Sequence, residues 1–252
     1  MHRKEATPMT STEAMIYQLK NLKGKPLKQK LEHIFTYFWI PIVVVLAVLG
    51  FTVSYIVHIA TMKDTALSVI CLNSYVERDK TDAYTQEFAE KAGIDLEEYE
   101  IQLSTDLTVS DSDMAGSYES VQVLMAQIAA QSVDVMAADL ANLTRYFYQD
   151  TFFDLREILS PEQQAAYGEY FLYADMAVAR VFQESVEPIT EFPDPTKPET
   201  MAEPVPVALL LPEDNAFRSL CYPYTKGDVA LAVVINSPNI PNALAFVDHI
   251  ME

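Results

Sequence analysis

Apolar positions fall first into one long unbroken block, then into short runs whose spacing alternates between strand-like and helix-like. Residues 40–60 read IPIVVVLAVLGFTVSYIVHIA, with no Asp, Glu, Lys or Arg. As a helix rising about 1.5 Å per residue, the block covers about 30 Å, the depth of a bilayer's hydrocarbon core. Tyr37 and Trp39 stand at its upstream edge, where amphipathic rings favour the membrane interface, and His58 stands near the other. A core helix seldom runs this far without a charge. A signal peptide has a shorter apolar run and a small-residue cleavage site. Ser68-Val69-Ile70-Cys71 carries Ile where a lipid-attachment site needs a small residue. The pattern therefore predicts an uncleaved transmembrane helix over residues 39–61, in contact with membrane lipid.

Downstream, residues 65–73 (TALSVICLN) are rich in β-branched residues and read as a first strand. Residues 80–92 place Tyr84, Phe88 and Ala92 on one helical face, with Gly93 as the stop. Residues 99–109 read as a second strand. Residues 116–131 read as a helix with Val121, Leu124, Met125 and Ile128 inward, and 133–138 as a central third strand. Residues 140–148 look helical and resume towards Leu159. Ser160-Pro161-Glu162-Gln163 has the form of a capping box with Pro at the first helical position, so 162–184 is expected to be helical, in one or two pieces. Residues 186–206 contain six prolines and read as a crossover. Strands are expected at 205–211 and 228–235, antiparallel to each other with no helix between them, and a helix at 239–251. The succession predicts an α/β class: a parallel or mixed sheet, helices on both faces, plus one N-terminal transmembrane helix.

Charge sorts the chain about the apolar block. The 252 residues carry a net −19. Residues 1–60 hold seven Lys and Arg against three Asp and Glu, net +4; residues 61–252 hold ten against 33, net −23. The positive-inside bias places residues 1–38 in the cytoplasm as a basic segment and the acidic domain, 62–252, outside. The basic stub suits anionic headgroups. The acidic domain argues against nucleic acid as a partner and favours a cationic solute or a basic partner, or simply serves solubility.

Catalytic chemistry finds little footing. Downstream of the apolar block the one histidine is His249, read as a solvated residue at a helix end. A histidine-rich zinc centre and a Ser-His-Asp site are thereby disfavoured. No phosphate-cradling glycine motif occurs. Asp111-Ser112-Asp113 begins like a calcium loop, but Ala115 and Gln122 stand where ligands belong, so the acidic pair reads as helix-start residues. No metal, cofactor or catalytic residue is expected. Cys71 and Cys221 lack any C-x-x-C; they pair only if the fold brings them together, and the unpaired alternative is preferred.

The stretch 128–163, IAAQSVDVMAADLANLTRYFYQDTFFDLREILSPEQ, resembles a passage of the extracellular solute-binding proteins of ABC transporters, the periplasmic-binding-protein type II fold. In that family a helix leads to a strand with an Asp-Val start, then an aromatic short helix, a Phe-x-Asp-Leu and a Ser-Pro-Glu start. The tail from Val233 through Asn236-Ser237 to Val247 resembles the family's closing strand and helix. The resemblance covers about residues 65–250. Full members have two lobes closing on a ligand. Here only about 160–206 is left for a second lobe, which implies a reduced, non-catalytic binding domain. The family's ligand loops follow the strands' carboxyl ends. By position this nominates Asn73, Ser74, Tyr75, Thr105, Asp106, Asp139, Asn142, Asn236 and Ser237 as ligand-binding residues, although these types also favour turns. The resemblance further implies an ABC-transporter permease or another envelope protein as partner and a small polar or cationic solute as ligand. A scaffold that binds only protein is the alternative, and an Asp/Glu hydrolase the least favoured.

Overall fold

The structure is a computed structural model that describes residues 39–109, 114–184 and 192–252, with Pro26, Lys28 and Glu32. The acidic pair at 111–113, residues 186–191 of the proline-rich crossover and nearly all of the basic stub lie outside the described residues. The chain divides into two compact units, Met1–Met62 and Lys63–Glu252. In the first, helix α1 (Trp39–Thr61) is long and apolar enough to cross a membrane over Trp39–Ile59. Every side chain of that span is exposed, as an anchor surrounded by lipid requires.

The second unit is built on one six-stranded mixed sheet. Strand β1 (Asp64–Cys71) sits beside β2 (Tyr99–Ser104) and β3 (Val135–Asp139), all parallel. Strands β4 (Phe171–Asp175), β5 (Pro204–Leu210) and β6 (Val229–Val233) complete it in the order β2-β1-β3-β6-β5-β4. β6 runs antiparallel to both β3 and β5, and β5 antiparallel to β4. The expected antiparallel pairing of the last two strands is therefore present.

Side chains of the inner strands alternate between two buried cores. Leu67, Val69, Val135, Leu231 and Val233 face one; Ile70, Met136, Ala138, Ala230 and Ala232 face the other. The first face is covered by helices α2 (Arg78–Ala92) and α9 (Ile240–Met251), through Phe88, Phe246 and Val247. The second is covered by α3 (Met114–Ala129) through Leu124, and by α4 (Leu140–Leu143) with the aromatic turn Tyr146–Tyr148. Covering both faces buries the whole of β6 and all of β1 from Ala66 on, so β6 reads as a continuous apolar run and β1 as one broken only by Ser68.

Two sequence expectations are corrected. Residues 162–184 are not wholly helical: α6 (Pro161–Tyr167) ends, a short turn follows, and β4 precedes α7 (Met176–Glu184). Tyr167, Tyr170 and Phe171 pack on one core from a helix, a turn and a strand in succession. A helix also lies between β5 and β6, where none was expected: α8 (Ala216–Cys221), its first turn capped by the Asn215 side chain accepting from Arg218 N–H. Helix α5 (Leu155–Ile158) is capped by Asp154. The Ser160–Gln163 capping box forms as read. β4 and β5 join the same sheet, so the described part of 160–206 adds strands to the one lobe.

Candidate functional site

The connections leaving adjacent strands β1 and β3 turn to opposite faces. β1 leads into α2 on one face; β3 leads into α4 on the other. Between their carboxyl ends lies the kind of crevice in which open sheets bind ligands. Asn73 sits there at φ 55°, a left-handed turn that asparagine tolerates. Its N–H donates to Leu107 O (3.0 Å), its Oδ1 accepts from Val109 N–H (2.7 Å), and its Nδ2 donates to Asp139 Oδ2 (3.2 Å). One side chain thus ties together the exits of all three parallel strands. Asp139 caps α4 by accepting from Asn142 N–H (3.1 Å) and from Asn142 Nδ2 (2.8 Å). Asn73, Asp139 and Asn142 form one cluster whose polar atoms largely satisfy one another and close the crevice.

Open space flanks this knot. A cavity of about 410 Å3 lies beside the exit of β2, lined by Val76, Thr81, Asp82, Thr85, Ile101, Leu103, Thr105 and Asp106. Val76, Ile101 and Leu103 supply its apolar lining, three threonines and two aspartates its polar lining, and none of these described lining residues is cationic. On the other side a cavity of about 370 Å3 touches Asp139, Thr144 and Asp228. A third, of about 460 Å3, is lined by Glu213, Arg218, Tyr222 and Thr225 beyond β5. Tyr75 is 61% exposed, its ring 6.3 Å from that of Tyr224, which is 81% exposed. The Tyr75 N–H donates to Cys221 O (3.1 Å), fastening the β1 exit to the end of α8. Ser74 Oγ is buried without a hydrogen-bond partner. Tyr222 OH is likewise enclosed. Burial above all, then Cys71, Cys221 and Asp139 nearby, push that phenol well above its ordinary range, so it stays protonated.

Seven of the nine nominated residues gather at this edge: Asn73, Ser74, Tyr75, Thr105, Asp106, Asp139 and Asn142. Asn236 and Ser237 do not. They follow β6, which runs antiparallel, so its carboxyl end lies at the opposite edge. There Ser237 Oγ donates to the buried Asp134 Oδ1 (2.6 Å) and Asn239 Nδ2 to Oδ2 (3.2 Å). Ser68 N–H also donates to Oδ2 (2.7 Å), and Asn236 Nδ2 donates to Ile128 O (2.6 Å). These contacts lock β1, β3 and α9 together. Thr81, Asp82 and Thr85 escaped the sequence reading. They occupy the polar side of α2, whose apolar stripe alone was read; their i, i+1, i+4 spacing was the available signal.

His249 departs from the expectation of a solvated residue. Its ring packs 5.2 Å from Tyr84 and 5.6 Å from Phe88, and its Nδ1 lies 3.2 Å from Lys91 Nζ. Burial first, and the Lys91 charge second, lower its pKa, so the ring is neutral at pH 7. With Nδ1 accepting from Lys91, the proton sits on Nε2, which is buried without a partner. Among the described residues no group of three or more His, Cys, Asp or Glu is arranged to hold a metal ion.

No protein-family model, curated protein or solved structure matches the chain. Fold and site therefore define a class by geometry alone: an α/β domain with one mixed six-stranded sheet and an acidic carboxyl edge, preceded by one membrane-compatible helix.

Proposed function

We propose that the chain is a single-pass, membrane-anchored, non-catalytic binding protein. Its acidic domain faces outward and recognises a small cationic or polar solute at the carboxyl edge of the sheet. The observation that carries this reading is the cavity beside β2. It offers two carboxylates, Asp82 and Asp106, three threonine hydroxyls and the apolar side chains of Val76, Ile101 and Leu103, with no cation among its described lining residues. A protonated amine on a short apolar body meets each of those features. Its resemblance to one lobe of a solute-binding protein supports a role beside a transporter permease or another envelope complex. Capture is open-faced, because the described residues form one lobe with no second to close over the ligand. Affinity is accordingly modest and exchange fast.

A second reading, a scaffold that docks protein alone, is favoured by the exposed Tyr75–Tyr224 pair on the same edge, since exposed tyrosines suit protein contacts. A thermal-shift screen of the full chain in detergent separates the two. Amines and cationic amino acids near a hundredfold excess over Kd raise the unfolding midpoint by about 5–10 °C, while sugars and anionic solutes do not. No shift with any cation, together with a fixed membrane protein recovered by crosslinking through position 75, would favour the scaffold.

A further inference from the structure

We infer that Cys71 and Cys221, two free thiols in this structure, are built as a disulfide pair that closes when the domain matures outside the cell. Cys71 ends β1 and Cys221 ends α8, about 150 residues apart in the chain. The fold sets both side chains in one buried core, with Cys221 near enough to Cys71 to act on its ionisation. Both are free, and both are 0% exposed within the same core. The backbone braces the approach from a second direction, through the Tyr75 N–H donated to Cys221 O at 3.1 Å. The chain holds no other cysteine, so only one intramolecular bridge exists. The inference rests on the outward orientation, because an oxidising compartment is where such pairs persist.

The chemistry balances as thiol–disulfide exchange with an external disulfide, small-molecule or protein. One cysteine thiolate attacks that S–S bond, forming a mixed disulfide and releasing one external thiol. The second cysteine thiolate then attacks the protein-side sulfur, closes the Cys71–Cys221 bond and expels the other external thiol. Two protein thiols lose two electrons and two protons, and the external disulfide gains them. Complete burial means that exchange runs on the unfolded or opened chain. In the folded chain the contact with Cys221, then burial, push the Cys71 thiol up, which suppresses the reactive thiolate and shields the site once it has closed. The bridge would pin β1 to α8 beside the carboxyl edge and hold the base on which Tyr75 and Tyr222 stand.

The test uses the full chain in cells whose domain accessibility is checked by external protease. Cells are quenched with N-ethylmaleimide, and the denatured chain is weighed before and after reduction. The bridge predicts no adduct before reduction, a mass lower by the two lost hydrogens, and two adducts after it. Cys71→Ser and Cys221→Ser should each leave one thiol that reacts without reduction. Two adducts before reduction on a protease-accessible domain would overturn the pairing; the same result on a protected domain would overturn the outward orientation and the in-cell bridge with it. A blocked thiol in either single variant, or a disulfide-linked dimer of the parent, would also overturn it. Independently, the purified chain refolded in a glutathione redox buffer should close the bridge and unfold about 10 °C higher than in reductant. Failure to close there would overturn the geometry itself.

Discussion

Asn73 is the residue on which the carboxyl edge depends, because it joins three strand exits from a left-handed backbone conformation. Asn73→Ala removes two side-chain hydrogen bonds and leaves a Cβ-bearing residue at φ 55° without asparagine's local compensation. It should cost about 2 kcal/mol of unfolding free energy, read by denaturant titration. Asn73→Gly, which relieves only the backbone, should recover part of that loss. His249 makes a different prediction. Its depressed pKa means that the fold binds fewer protons there than the unfolded chain does. Its contribution is present above the unfolded value of about 6.5 and drains away as pH falls through that value toward the lower folded one. Stability followed by thermal unfolding should therefore decline on acidification from pH 7, and His249→Phe should flatten that decline. The composition of these residues was legible in the sequence; their partners were not. Nothing near Asn73 announces that Val109 and Asp139 will meet it, since those contacts span 36 and 66 residues.

At the scale of elements, strands buried on both faces were the easiest to read. β6 is an unbroken apolar run, β3 is apolar up to Asp139, and β1 from Ala66 on is interrupted only by Ser68; their length separates them from helices. β4 was hidden because Tyr167, Tyr170 and Phe171 fit a helical stripe as well as a core contact shared by three different elements. β5 shows how the fold admits proline within a sheet. Pairing with β4 steps from Leu172–Ala208 to Tyr173–Pro206, leaving Val207 as a bulge, so Pro206 sits where the ladder is already interrupted. Pairing of β5 with β6 is confined to Leu209 and Leu210, away from that proline. α8 escaped because six residues give too little periodicity to register, although Asn215 was a usable cap. Capping is where local sequence and structure agree most closely. Ser160 Oγ accepts from Gln163 N–H at 3.2 Å while Gln163 Oε1 accepts from Ser160 N–H at 2.8 Å. Ser160→Ala should cost about 1 kcal/mol in denaturant unfolding. Gln163 also donates to Asp248 on α9 at 2.7 Å, so Gln163→Ala should cost more than the cap alone.

Across the whole molecule, charge and hydropathy separate what the fold then elaborates. One helix suited to a bilayer precedes a domain of net −23, and the domain gathers acidic and hydroxyl side chains at one edge of its sheet. The nine residues were nominated as the loops that follow the strands' carboxyl ends, where the resemblance places ligand contacts. Asn236 and Ser237 lie at the opposite edge from the other seven, because the direction of β6 could not be read from a run of apolar residues. The account's central claim is that the edge recognises a cation through Asp82 and Asp106. The most direct measurement is a calorimetric titration of the full chain in detergent with the amine that shifts its unfolding most, repeated on Asp82→Asn/Asp106→Asn at unchanged stability. The account predicts saturable binding that weakens with salt and falls at least about tenfold in the double variant. Equal affinity in the parent and the double variant, or equal binding of an anionic analogue, would contradict it.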